Sequence, residues 1–206
     1  PGGSGLKIVN GPIAWAPGQG AFEFPEGTGV PYENGYELVV QLHYNLFDSA
    51  QIGSSDETRI DLRFEDSVDE ELYAVYVDFL LGKAGSGVSI PAGEEAFEYK
   101  ESADVGDLGL PPGTKVWGVI PHMHEHGKKL NATIRRQGGE DQCVNQVDAW
   151  DFNWQRIYWY DAPISLAAGD TWEITCTFNT MGVEEAVYPG WGTKNEMCLT
   201  VLFVSF

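Results

Sequence analysis

Residues 114–124, "TKVWGVIPHMH", follow a turn signal at "PPG" (111–113) and read as a β-strand. In a strand, residues i and i+2 share a face. Extended, the segment points His122 and His124 the same way, with Met123 behind them. His126 shares that face only if the strand continues, and "HGKK" (126–129) suggests a turn there. Three of the chain's 4 histidines therefore fall on alternate residues of one short stretch.

Working outward, the neighbouring segments read the same way. "YELVVQLHYNL" (36–46) is rich in β-branched and aromatic residues. "TRIDLRFED" (58–66) alternates Ile60, Leu62 and Phe64 with charged neighbours, the pattern of a half-exposed strand. "ELYAVYVDFLL" (71–81), "KLNATIRRQ" (129–137), "QRIYWYDAPISL" (155–166), "DTWEITCTFNT" (170–180) and "EMCLTVLFVSF" (196–206) complete the set. No stretch shows a 3.6-residue period, and 25 Gly and 11 Pro punctuate the apolar runs. Such a series with no helices between implies an all-β chain, an antiparallel β-sandwich of jelly-roll type. The loop-rich residues 1–50 read as the end of a preceding domain or as an N-terminal extension, and residues 51–206 as the main domain.

The net charge is −19, from 31 acidic and 12 basic residues. Nucleic acid and anionic membrane surfaces are not the expected partners, since both need a basic footprint. The negative field instead concentrates cations. No apolar run approaches the ~20 residues of a membrane helix. Three cysteines give one disulfide with one left over, and no CxxC spacing is present. That composition points to an oxidising compartment, secreted or periplasmic.

Two imidazoles side by side on a rigid strand make half of a metal site, and imidazole suits copper and zinc. No HExxH helix or cysteine cluster accompanies them, so the common zinc patterns are absent. A third ligand has to come from His43, a carboxylate, or the sulfur of Met123, Met181 or Met197. A thioether selects copper, Cu(I) in particular.

At this point the residues resemble a family. "HMHEHGKKL" (122–130) is similar to the His-x-His followed by Gly-Lys of the copper type II, ascorbate-dependent monooxygenases. "VVQLHYNL" (39–46), "GTKNEMCLTVLFVSF" (192–206) and the lead-in "AWAPGQGAFEFPEGTG" (14–29) resemble further motifs of that family, in the same order. The resemblance implies that His122, His124 and Met197 are the ligands of a catalytic copper. It implies that His43 is one ligand of a second, electron-delivering copper. The remaining ligands of that site, an adjacent pair of histidines, would come from a missing N-terminal copper domain. It also implies a disulfide between Cys176 and Cys198, with Cys143 unpaired and His126 without a family role.

The chain departs from the peptide-hydroxylating branch at three places. Ile120, Leu199 and Val201 stand where that branch carries Arg, Asn and Tyr. The resemblance therefore implies O₂-dependent hydroxylation of an sp³ carbon in a small apolar or aromatic substrate, amines included. Ascorbate or another external reductant would supply the electrons. The contrasting reading is a non-catalytic single-copper binding or electron-transfer module with the same fold.

Overall fold

The computed structural model describes residues 20–40, 42 and 51–206. Ten strands are present among them: β1 (Thr28–Gly29), β2 (Glu70–Glu71), β3 (Tyr73–Asp78), β4 (Phe97–Asp104), β5 (Lys115–His122), β6 (Gly127–Arg135), β7 (Gln142–Val147), β8 (Tyr158–Ser165), β9 (Thr171–Phe178) and β10 (Leu199–Ser205). Beyond the 3₁₀ turn at Leu81–Lys83 and 3₁₀ geometry at Gln51, the described regular structure is all β.

Eight of the strands form two four-stranded antiparallel sheets, ordered β3-β10-β5-β8 and β4-β9-β6-β7. The first strand of this set lies beside the last, and the second beside the second-last. That nesting is the jelly-roll order, and it bears out the fold expected from the sequence. The short pair β1–β2 is parallel and stands apart.

Alternation places the core between the sheets. In β9, Trp172, Ile174, Cys176 and Phe178 are buried, while the residues between them face outward. From the other sheet, Val116, Val119, Met123, Cys198, Leu202 and Val204 meet them. All seven residues of β10 are buried. This strand is central, and its outer face is covered as well, which is why its sequence is a nearly continuous apolar run. The cover is a second cluster of Leu72, Ile120, Met197, Leu199, Val201 and Phe203 with Phe22 and Phe24 packed on it. Phe22 and Phe24 meet Trp159 at ring-centroid distances of 6.0 and 5.8 Å, and Trp159 meets Phe203 at 5.0 Å.

Two local expectations change. Residues 58–66 join no sheet among the described residues. Their apolar side chains are exposed, Ile60 and Leu62 at 47 % and Phe64 at 61 %. Alternation makes a strand only when a neighbour takes the backbone hydrogen bonds, and among the described residues no strand pairs with this segment. Conversely, β4 and β7 escaped the sequence reading. "FEYKESAD" and "QCVNQV" are too polar to stand out, because their outer faces are solvated. Of the expected strand at 36–46, residues 36–40 form none, and most of the remainder lies outside the described residues.

Candidate metal centre

β5 carries the two histidines out of the core. Its ladder with β8 ends at Val119↔Tyr158, whereas its ladder with β10 runs on to His122↔Leu199. Pro121 sits in that gap, where its missing N–H costs no ladder bond. Freed from β8, the chain from residue 150 to 157 turns over the end of β5. Gln155 Oε1 then lies 2.6 Å from His122 Nδ1. The Gln155 amide is oriented by its Nε2, which donates to the carbonyl of Phe152 at 2.8 Å. Trp150 Nε1 donates to the carbonyl of His124 at 3.1 Å.

The face assignment holds. Met123 is buried between the sheets, while Ile120 belongs to the outer cluster that also contains Met197. His122 and His124 share the face of Ile120 by strand periodicity. Their rings lie edge to face with centroids 5.1 Å apart. Met197 is buried at 3 % exposure and His124 at 5 %.

Both imidazoles are held in a ligand-ready tautomer. His124 Nδ1 donates to the carbonyl of Asn195 at 2.9 Å, and His122 Nδ1 donates to Gln155 Oε1. In its neutral form each ring would then present the Nε2 lone pair to an ion, the arrangement in which an outer acceptor orients a metal-binding histidine. Burial pushes the His122 pKa down to about 4, which keeps that ring neutral. Among the described residues no three His, Cys, Asp or Glu side chains converge on a metal position. Two imidazoles, with Met197 in the apolar cluster on the same face, could form a soft donor set of the kind that suits copper better than zinc.

Glu196 ties the histidine turn to the methionine. Its Oε2 accepts the backbone N–H of His124 at 2.9 Å and of Met197 at 3.2 Å, and its Oε1 accepts that of His126 at 2.7 Å. Burial pushes this carboxyl up to about 7, against the three backbone donors that pull it down.

The other expected residues fall as follows. Cys176 and Cys198 are disulfide-bonded, and Cys143 is a free, exposed thiol. Met181 is 61 % exposed. His126 lines an open cavity of about 320 Å³ with Glu125, Glu185, Tyr188, Lys194 and Asn195. His43 lies outside the described residues. Gln155, Asn195 and Glu196 escaped the sequence reading. Glu196 stood inside the quoted "NEMC", but a carboxylate used as a backbone acceptor has no sequence signature. Gln155 lies 33 residues from its histidine, with no motif to mark it.

The family model for the copper type II ascorbate-dependent monooxygenase C-terminal domain matches residues 78–205. The chain is 28 % identical over 210 residues to dopamine beta-hydroxylase of Canis lupus familiaris, covering 96 % of this chain and 32 % of that protein. It is 29 % identical over 198 residues to the Homo sapiens dopamine beta-hydroxylase, with 90 % and 31 % covered. It is 26 % identical over 202 residues to tyramine beta-hydroxylase of Caenorhabditis briggsae, with 92 % and 33 % covered. The chain thus spans about a third of the length of these relatives. With the jelly-roll sandwich and the disulfide beside the methionine strand in place, the chain belongs to the copper type II ascorbate-dependent monooxygenases and represents their C-terminal domain.

Proposed function

We propose that His122, His124 and Met197 hold copper, and that the chain is the catalytic-copper half of an O₂-dependent monooxygenase. Its reaction is hydroxylation of an sp³ carbon in a small apolar or aromatic substrate, amines included. One observation carries the reading. Both Nδ1 atoms are spent on oxygen acceptors, so both Nε2 lone pairs remain for an ion on the sheet face that carries Met197. Copper bound there supplies one-electron chemistry toward O₂.

The chain's own residues do the rest. Gln155 and Asn195 orient the rings. Ile120, Leu199 and Val201 put apolar side chains on this face, which supports an apolar substrate. Ascorbate or another external reductant, a second copper using His43 and an N-terminal copper domain complete the proposed system. The disulfide supports an extracytoplasmic setting. No helix among the described residues is long and apolar enough to cross a membrane.

Cu(I) titration with X-ray absorption tests the ligand set. One equivalent should bind with a Cu–S component that Met197→Ala removes, and survival of that component would sink the assignment. Hydroxylation is then assayed with ascorbate, O₂, a phenylethylamine and the N-terminal copper domain supplied as a separate chain. Copper binding without turnover in that assay favours the non-catalytic copper module.

A further inference from the structure

The β5–β10 ladder ends at His122↔Leu199, yet the ligand candidates His124 and Met197 both lie beyond it. Backbone pairing between the two strands therefore does not fix one relative to the other. The residues between β5 and β6 form a turn closed by Gly127 N–H on the carbonyl of His124 at 3.3 Å. In that turn the N–H groups of His124 and His126 point to a side chain instead of a strand.

That side chain is Glu196, whose residue is 0 % exposed. A single oxygen, Oε2, accepts from both His124 and Met197. The Glu196 backbone is anchored separately. Its N–H donates to the carbonyl of Tyr188 at 3.1 Å, and its carbonyl accepts from Gly190 N–H at 3.2 Å. Its sequence neighbour Asn195 accepts from the His124 ring. Glu196 makes no ion pair among the described residues. A buried carboxylate without a cation is costly, and an apolar residue would fill the same space at lower cost. What the carboxylate alone supplies is acceptors for these three N–H groups.

We infer that Glu196 is the positioning residue of the centre: its carboxylate takes over where the β5–β10 ladder stops and sets the His124 ring and the Met197 sulfur at the spacing one ion requires. The inference rests on the copper reading above. It assigns no contact between Glu196 and the metal or substrate.

The test compares wild type with Glu196→Gln, in which an amide NH₂ replaces one acceptor and opposes backbone donors. Amide hydrogen exchange of the metal-free proteins is read first. Faster exchange confined to His124, His126 and Met197 is expected, whereas a merely structural role would open β5 and β10 along their length. Cu(I) affinity and X-ray absorption follow. Glu196→Gln should lose roughly 10- to 100-fold in affinity and lose the sulfur component, while retaining the imidazole component. If Glu196→Gln does not fold, Glu196→Asp, which keeps the charge but shortens the reach, is read for the same selective exchange and sulfur loss. Unchanged affinity and sulfur signal in the folded variant would overturn the inference. Absence of a sulfur component from wild type would overturn the copper reading itself, so the two failures are distinct.

Discussion

Cys176 stands in β9 of one sheet, and its disulfide partner Cys198 follows Met197 directly and immediately precedes β10 of the other. One covalent bond thus joins the two layers beside a proposed ligand. The cysteines are 22 residues apart. In the chain-entropy picture, closing a loop of that size stabilises by about 3 kcal/mol. Cys176→Ala/Cys198→Ala should lower the urea-unfolding free energy by about that much and weaken Cu(I) binding. A thiol titration of denatured, unreduced protein should find one thiol, that of Cys143. Three thiols would reject the bond in solution.

Gln155 is the acceptor for His122 Nδ1. Gln155→Leu removes that acceptor and leaves a half-buried ring N–H without it, at a cost of about 1–3 kcal/mol. The ring is also released to the other tautomer, in which Nε2 carries the proton. Copper affinity should fall roughly 10- to 100-fold. Isotope-resolved NMR of the ring nitrogens in the metal-free protein checks the tautomer directly. An unaltered His122 signal would show that Gln155 does not set it.

Gly127 begins β6 immediately after the histidine turn. A Cβ there would lie 2.7 Å from Trp150 Cδ1 and 2.9 Å from both Met123 Cβ and Met123 Cε. Trp150 is the side chain that donates to the carbonyl of His124, and Met123 is buried behind the pair, so neither yields freely. Gly127→Ala should destabilise by about 1–3 kcal/mol through overpacking. Thermal melts would show it, and the trans-acting hydroxylation assay should lose activity with it. A neutral effect would mean that Trp150 moves aside without loss.

The sandwich was legible because its central strands obey simple rules. "DTWEITCTFNT" alternates and "EMCLTVLFVSF" is mostly apolar, the signatures of a one-face and a two-face buried strand. β4 was not legible, since Lys100, Glu101 and their neighbours hide its half-buried face. "TRIDLRFED" misled for the opposite reason, because a pattern records which face is apolar and not whether a partner strand exists. At the site, the histidine pair was legible as spacing, while Met197 was one of three candidate methionines until the resemblance singled it out. The acceptors Gln155, Asn195 and Glu196 come from chain reversals whose positions no local pattern encodes.

A further prediction concerns acid stability. Glu173 lies on the outer face of β9, opposite Thr133 of β6 and Ser102 of β4. Arg135 and Lys100 reach it diagonally from those flanking strands. The Arg135 guanidinium chiefly, with Lys100, holds the Glu173 carboxyl below its ordinary value of 4.5. The unfolded chain therefore binds the proton more readily than the folded one. This stabilisation is fully present above the unfolded value and is lost as pH falls below 4.5 and through the folded value. Arg135 is 45 % exposed, so solvent screening limits the contribution to about 1 kcal/mol or less. Glu173→Gln should cost that amount at neutral pH and nothing once the wild-type carboxyl is protonated. The two stability curves should converge on acidification. Urea unfolding of both proteins from about pH 7 to about pH 3 tests the convergence. Parallel curves across that range would show that the ion-pair cluster does not couple to folding.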